Sequence, residues 1–130
     1  MTDMFTSGKI GNLELKNRVV RSATWEALAD AEGKVTPALV GYTLARIRGE
    51  VGLYIMGITA VTRNGVGMPG MTGIFSDDHI DSHRELTDAV HEEGGAVCLQ
   101  IAHVGAQVSK DLLGEDPVAP SAVLHPSFQT

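Results

Sequence analysis

Residues 36–49 read Thr36-Pro37-Ala38-Leu39-Val40-Gly41-Tyr42-Thr43-Leu44-Ala45-Arg46-Ile47-Arg48-Gly49, and after Glu50 the chain continues as Val51-Gly52-Leu53-Tyr54-Ile55-Met56. The first stretch predicts a helix. Thr36 suits the N-cap, where a hydroxyl can accept from an orphan N–H, and Pro37 has no N–H to lose at the first helical position. Gly49 suits the residue just past the end. Val40, Leu44 and Ile47 recur at i, i+4 and i+7, which predicts one apolar face. The second stretch is almost unbroken in its apolarity. A strand with one wet face alternates; a run without alternation predicts a strand covered on both faces in a parallel sheet.

Outward from this pair the same grammar continues. Upstream, Gly11-Asn12 is a turn dipeptide between alternating arms, so residues 5–15 predict a hairpin. Residues 18–24 predict a strand, with Val19 and Val20 giving β-branched bulk. Downstream, Gly65, Gly67, Pro69, Gly70 and Gly73 mark residues 63–73 as a loop. Ser76-Asp77-Asp78 opens a second helix with acids where the helix dipole favours them, and Gly94-Gly95 closes it. Residues 96–101 predict another short strand. From Asp116 on, Pro117, Pro120 and Pro126 predict an extended loop. Strands alternating with helices imply an α/β fold with a parallel sheet and right-handed crossovers. A barrel and an open doubly wound sheet both satisfy this order. The first βα connection holds no glycine-rich phosphate fingerprint, which weighs against an open dinucleotide-binding sheet.

Bulk properties narrow the function. The 130 residues suffice for one ordinary domain, and 43% hydrophobic with 20% charged side chains is average for a globular protein. A net charge of -6 offers no basic surface for nucleic acid or anionic membrane. Cys98 is the single cysteine, so no disulfide, zinc site or iron–sulfur cluster can be built from this chain's cysteines alone. Residues 1–7 lack the charged and apolar regions of a secretory signal, and the expected location is cytoplasmic.

In parallel α/β folds chemistry gathers at the carboxyl ends of strands, and three such ends stand out. At Arg21-Ser22-Ala23-Thr24-Trp25-Glu26, Arg21 and Glu26 form a solvent pair on a loop rim, or Arg21 shares Ala23's face, points inward and requires a buried partner. At Met56-Gly57-Ile58-Thr59-Ala60-Val61, Gly57 is a simple strand exit or admits a ligand close to the backbone. At Leu99-Gln100-Ile101-Ala102-His103-Val104-Gly105, the amide of Gln100 lies among apolar neighbours and, if buried, must find partners in a ligand or in backbone. His103 reads as a hydrogen-bonded structural histidine before a base. His79, His83 and His91 share the second helix; the i, i+4 spacing of the first two could grip a metal, but a solvated helix face explains them better. No metal site is expected.

Taken in order, several segments resemble the old yellow enzyme / NADH:flavin oxidoreductase family. They are Lys9-Ile10-Gly11-Asn12-Leu13-Glu14-Leu15-Lys16-Asn17-Arg18, Gly52-Leu53 through Ala60-Val61, and Gly73-Ile74-Phe75-Ser76-Asp77-Asp78. Leu99-Gln100-Ile101-Ala102-His103-Val104-Gly105 and Pro120-Ser121-Ala122-Val123 complete the set. Each is weak alone; five in the right order are specific. The resemblance implies a TIM-type (βα)₈ barrel of which residues 1–130 are the N-terminal part, with the first three βα units, a β-hairpin at the barrel bottom and no second domain. It implies an FMN-dependent oxidoreductase of ene-reductase type, passing hydride from NADH or NADPH to an α,β-unsaturated carbonyl or related small molecule, and a homo-oligomer. By the same resemblance the flavin is contacted by Ala23, Thr24, Trp25, Ile58 and Gln100, with Gln100 on the pyrimidine edge. Ala23-Thr24 stands where members commonly carry Pro-Met, and Trp25 where they often place Thr or Cys. No catalytic residue is assigned, because the family's carbonyl-polarising pair and proton donor have no counterpart here. The alternatives are a non-catalytic fragment assembling with itself or a partner chain, and an open-sheet nicotinamide-dependent oxidoreductase.

Overall fold

Gly11-Asn12 does join two strands in the computed structural model, which describes residues 3–127. The reading of the first seven residues rests partly on Met1 and Thr2, outside that range. Strands β1 (Gly8–Ile10) and β2 (Leu13–Leu15) pair antiparallel with Ile10 opposite Leu13. Gly11 sits at φ 57, the left-handed turn conformation that favours glycine.

The next strand, β3 (Val20–Arg21), is far shorter than the expected 18–24. Its continuation cannot join a ladder, because the guanidinium of Arg21 turns back on the chain and donates to the carbonyls of Ser22 at 3.2 Å and Thr24 at 3.4 Å.

Helix α1 (Pro37–Arg48) begins as expected, with the N–H of Leu39 donating to the Thr36 hydroxyl at 3.3 Å. Its buried line differs from the expected one: it runs through Leu39, Thr43 and Ile47, while Val40 and Leu44 flank it half-buried. The helix end also differs. Gly49 has an ordinary φ of -79, and the left-handed position falls on Glu50 at φ 68. There the N–H groups of Glu50 and Val51 donate to Ile47 O and Arg46 O, closing the helix as a glycine would. A left-handed L-residue costs roughly 1–2 kcal/mol, and the exposed Lys16–Glu50 ion pair at 3.2 Å returns less than that. Glu50→Gly is therefore expected to stabilise the fold by about 1 kcal/mol, read as a raised urea midpoint. A lowered midpoint would show that the Lys16 contacts outweigh the backbone cost.

The central strand is β4 (Leu53–Ala60), longer than the apolar run alone suggested. β5 (Thr72–Gly73) lies inside the stretch expected to be pure loop, as does a 3₁₀ turn at Arg63–Gly65. Helix α2 (Ile80–Glu92) follows a 3₁₀ turn at Asp77–His79, capped as expected by Ser76. It ends before Gly94, whose φ is 66. β6 (Val97–Ala102) and a short helix α3 (Lys110–Leu113), which the sequence reading did not anticipate, complete the elements; the proline-rich stretch to residue 127 carries none.

The sheet is parallel throughout. β6 runs along one edge of β4, while β3 takes the start of the other edge and β5 its end. Leu39 and Ile47 from α1, Leu86 and Val90 from α2, and Tyr54 and Met56 from β4 make one core between sheet and helices. Beyond β6 the sheet has no further strand among the described residues, and Ile101 is 62% exposed there. No helix among the described residues is long and apolar enough to cross a membrane.

Candidate functional site

The carboxyl ends of β3, β4 and β6 come together, and a buried ion pair sits beneath them. Arg21 Nη1 lies 3.1 Å from Glu26 Oε1, with side-chain exposures of only 16% and 7%. The solvent-pair reading is thus overturned. So is the inward-pointing one: Arg21 is the register partner of Tyr54 and stacks 4.5 Å from its ring, with Tyr42 of α1 at 5.8 Å, on the helix side of the sheet. A carboxylate this deep must be compensated. Besides Arg21, the Tyr54 hydroxyl donates to Glu26 Oε1 at 2.7 Å and the Gly57 N–H donates to both carboxylate oxygens at 3.2 Å. Burial, reinforced by the hydrogen bond to Glu26, pushes the Tyr54 phenol well above its ordinary range and keeps it a donor.

Gly57 is not at a strand exit but inside β4. The group that approaches it is not a ligand. A Cβ at Gly57 would lie 2.6 Å from Thr24 O and closer still to Glu26 Oε2. Glycine is required here by the loop after β3.

Between Ile55 and Ile58 the β4–β6 register slips: Ile55 pairs with Cys98, but Ile58 pairs with Gln100. Three residues of β4 thus match two of β6, a bulge that re-aims the side chains beyond it. Strict alternation would send Ile58 to the helix side with Tyr54 and Met56. The bulge places it instead on the Gln100 face, and both Ile55 and Ile58 are half-buried. Ile58 and Gln100 are therefore neighbours, and the backbone of Thr24 lies against Gly57 beside them. Ala23 is half-buried, Thr24 is exposed with its hydroxyl 3.3 Å from Ser22 O, and Trp25 is 42% exposed at the rim. Gln100 is exposed rather than buried, because no strand covers β6 on its outer side among the described residues, and its amide has no partner among them.

The histidines divide. His79 is buried, with Nδ1 3.0 Å from Ser76 O and Nε2 3.0 Å from Glu32 O. His83 places Nε2 3.0 Å from Gly73 O, and burial holds its imidazole below the ordinary range. These two tie α2 to the loops, so the solvated-face reading fits only the exposed His91. His103 is hydrogen-bonded as expected: the Gly105 N–H donates to Nδ1 at 2.9 Å, which leaves Nε2–H to donate to Asn64 Oδ1 at 3.3 Å. No group of three potential ligands able to hold a metal occurs among the described residues. Sequence reasoning missed Tyr54 and Glu26 as one cluster. The available signal was a tyrosine inside an otherwise aliphatic strand, three residues before a glycine.

An exposed amide, an aliphatic flank and an indole thus lie at the carboxyl ends of a parallel α/β sheet, the end where such folds place their ligand sites. The chain belongs to the NADH:flavin oxidoreductase / NADH oxidase family, whose model matches residues 3–129. The family uses FMN, with NADH or NADPH as reductant. An NADPH dehydrogenase of Halalkalibacterium halodurans is 34% identical over 128 residues, 98% of this chain and 37% of its own length. An NADH oxidase of Thermoanaerobacter brockii is 36% identical over 93% of this chain and 19% of its own. The old yellow enzyme homologue from Zymomonas mobilis superposes with a TM-score of 0.87 at 30% identity, covering 97% of this chain and 35% of that one. The chain thus spans about a third or less of each.

Proposed function

We propose that this chain forms the N-terminal part of a single FMN-binding (βα)₈ barrel, an enzyme of old yellow enzyme type. Residues 1–130 would supply the first three βα units, with the β1–β2 hairpin at the barrel bottom and no second domain. Such barrels take about 250 residues, well beyond the 130 of this chain, and the chain covers only 37% of the first relative and 35% of the superposed structure. The outer side of β6, which no strand among the described residues covers and where Ile101 is exposed, is where a further parallel strand would sit. The same reading takes the enzyme as a cytoplasmic homo-oligomer acting on a small molecule.

The observation that carries the reading is the pairing of Ile58 with Gln100 across the bulge, which sets an aliphatic side chain beside an amide without a partner among the described residues. An amide has both donor and acceptor, as the pyrimidine edge of a flavin requires. Trp25, Thr24 and Ala23 complete a wall suited to a planar ring. The group they fit is the ring and not the phosphate, since the charge of Arg21 is already matched by Glu26. The chemistry supplied by bound FMN is hydride relay from NADH or NADPH to an electrophile such as an α,β-unsaturated carbonyl. This chain's residues bind and orient: Gln100 holds the polar edge, Ile58 excludes water beside it, and Ala23, Thr24 and Trp25 bound the ring face. None of them is assigned a proton transfer.

Intact mass and a visible spectrum of the purified protein test the reading first. A mass well above 13.8 kDa with flavin absorbance near about 450 nm is expected. A colourless protein of 13.8 kDa would transfer the case to a fragment that assembles with copies of itself or a partner. In the yellow protein, Gln100→Leu is expected to weaken FMN binding about tenfold, the worth of one hydrogen bond near 1.4 kcal/mol. Unchanged affinity in a fluorescence titration would remove Gln100 from the site.

A further inference from the structure

One edge of β4 is served by two strands that do not meet. β3 covers it as far as Tyr54, and β5 resumes at Thr59. Between them no backbone among the described residues pairs with the edge, and a gap in a buried ladder leaves polar groups that must be satisfied. Two side chains fill it. Arg21 Nη1 donates to Ile55 O at 3.1 Å, and the Gly57 N–H donates to the Glu26 carboxylate. The Arg21–Glu26 ion pair therefore stands where a strand would, one member accepting what a carbonyl would accept and the other donating as an N–H would.

The gap coincides with the bulge. Gly57 lies between Ile55 and Ile58, where the β4–β6 register slips. By taking the Gly57 N–H, Glu26 holds the extra residue in place, and the bulge in turn decides that Ile58 joins the Gln100 face. The same pair grips the other flavin-facing segment, since Arg21 also reaches Ser22 O and Thr24 O. Immediately after Glu26, Ala27 sits at φ 58, a conformation that persists in an L-residue only where its surroundings over-determine it. On its far side the loop is pinned by Ala29 N–H donating to Gly70 O at 3.0 Å.

We infer that Glu26, held by Arg21 and Tyr54, is a positioning residue that sets the flavin-facing geometry of both Ala23–Thr24–Trp25 and Ile58–Gln100 without touching the ring. This rests on the flavin reading above and names what orients its wall. A purely structural ion pair would be replaceable by any packing of equal stability. A positioning pair would not, because apolar side chains cannot take the Gly57 N–H or fill the gap in the ladder.

The test uses the full-length protein and the double variant Arg21→Met/Glu26→Met, chosen because removing both charges leaves no buried ion unpaired. Amide hydrogen exchange, read by mass spectrometry on the flavin-free protein, is expected to rise about a hundredfold at Gly57 and Ile58, which lose the held bulge, with α1 and α2 unchanged. In the loaded protein, FMN binding is expected to weaken at least tenfold and its reduction potential to shift, in a variant that still melts cooperatively. A folded double variant with wild-type exchange at Gly57 and Ile58 would overturn the proposal, whatever happens to FMN. So would faster exchange with unchanged FMN affinity and potential. If the wild type itself carries no flavin while exchange responds as stated, the flavin reading fails and the hold of Glu26 on the bulge is upheld. Glu26→Gln, which keeps one acceptor oxygen for Gly57 N–H, is expected to recover part of the exchange protection; no recovery in a folded Glu26→Gln protein would count against the hydrogen bond as the means.

Discussion

Arg21→Met alone is expected to cost about 3–5 kcal/mol of stability, because it strands the Glu26 carboxylate in a site where that group is 7% exposed. The magnitude follows from which side of the pair is removed. Two charges taken out of water together repay one another; a single one left behind has no such return. Tyr54 and Gly57 would still donate to the carboxylate, but neither carries a charge. Loss of the guanidinium also leaves Ile55 O without its donor and removes the cation from the Tyr54 ring. Against a typical net stability of about 5–15 kcal/mol, the variant would keep only part of its margin. Urea unfolding of the single variant and of Arg21→Met/Glu26→Met makes the measurement, with the double variant expected to recover most of the loss. A single-variant cost below about 1 kcal/mol would mean the pair behaves as a surface ion pair does.

The elements that could be read from sequence are those fixed by chemistry within a few residues. Thr36, Pro37 and the apolar run at residues 51–56 each act locally, and helix, strand and parallel order stand where expected. What escaped depends on partners far along the chain. The short β3 is cut off by a side chain that turns back on its own carbonyls, and β4's bulge is held by a carboxylate 31 residues earlier. Glu50 takes the left-handed place beside a glycine that would have suited it, because Asn17 Nδ2 donates to its carbonyl at 2.6 Å and fixes the loop. Gln100 was legible as a candidate but not as exposed, since exposure is set by whether another strand lies alongside β6. Ile58 and Gln100 are adjacent only through a register slip that period-two alternation cannot express.

Gly57→Ala is the sharpest test of that site, and it is expected to cost about 3 kcal/mol, the upper end for overpacking. The added methyl would meet Thr24 O at 2.6 Å and the Glu26 carboxylate closer still. One of these is backbone on a loop already tied by Arg21, and the other is held by three donors, so neither can retreat without breaking what holds it. Moving the carboxylate away would undo the hold on the bulge and expose the guanidinium to the same imbalance as Arg21→Met. Gly41→Ala supplies the contrast: a Cβ there meets nothing within 4 Å, and in the interior of α1 the change is expected to stabilise by about 0.5–1 kcal/mol. Opposite shifts of the urea midpoint for these two substitutions would separate a glycine required by packing from one merely tolerated by a helix. Equal and small shifts would mean that the loop after β3 yields freely, and then neither Glu26 nor Gly57 could set where Ile58 and Gln100 lie.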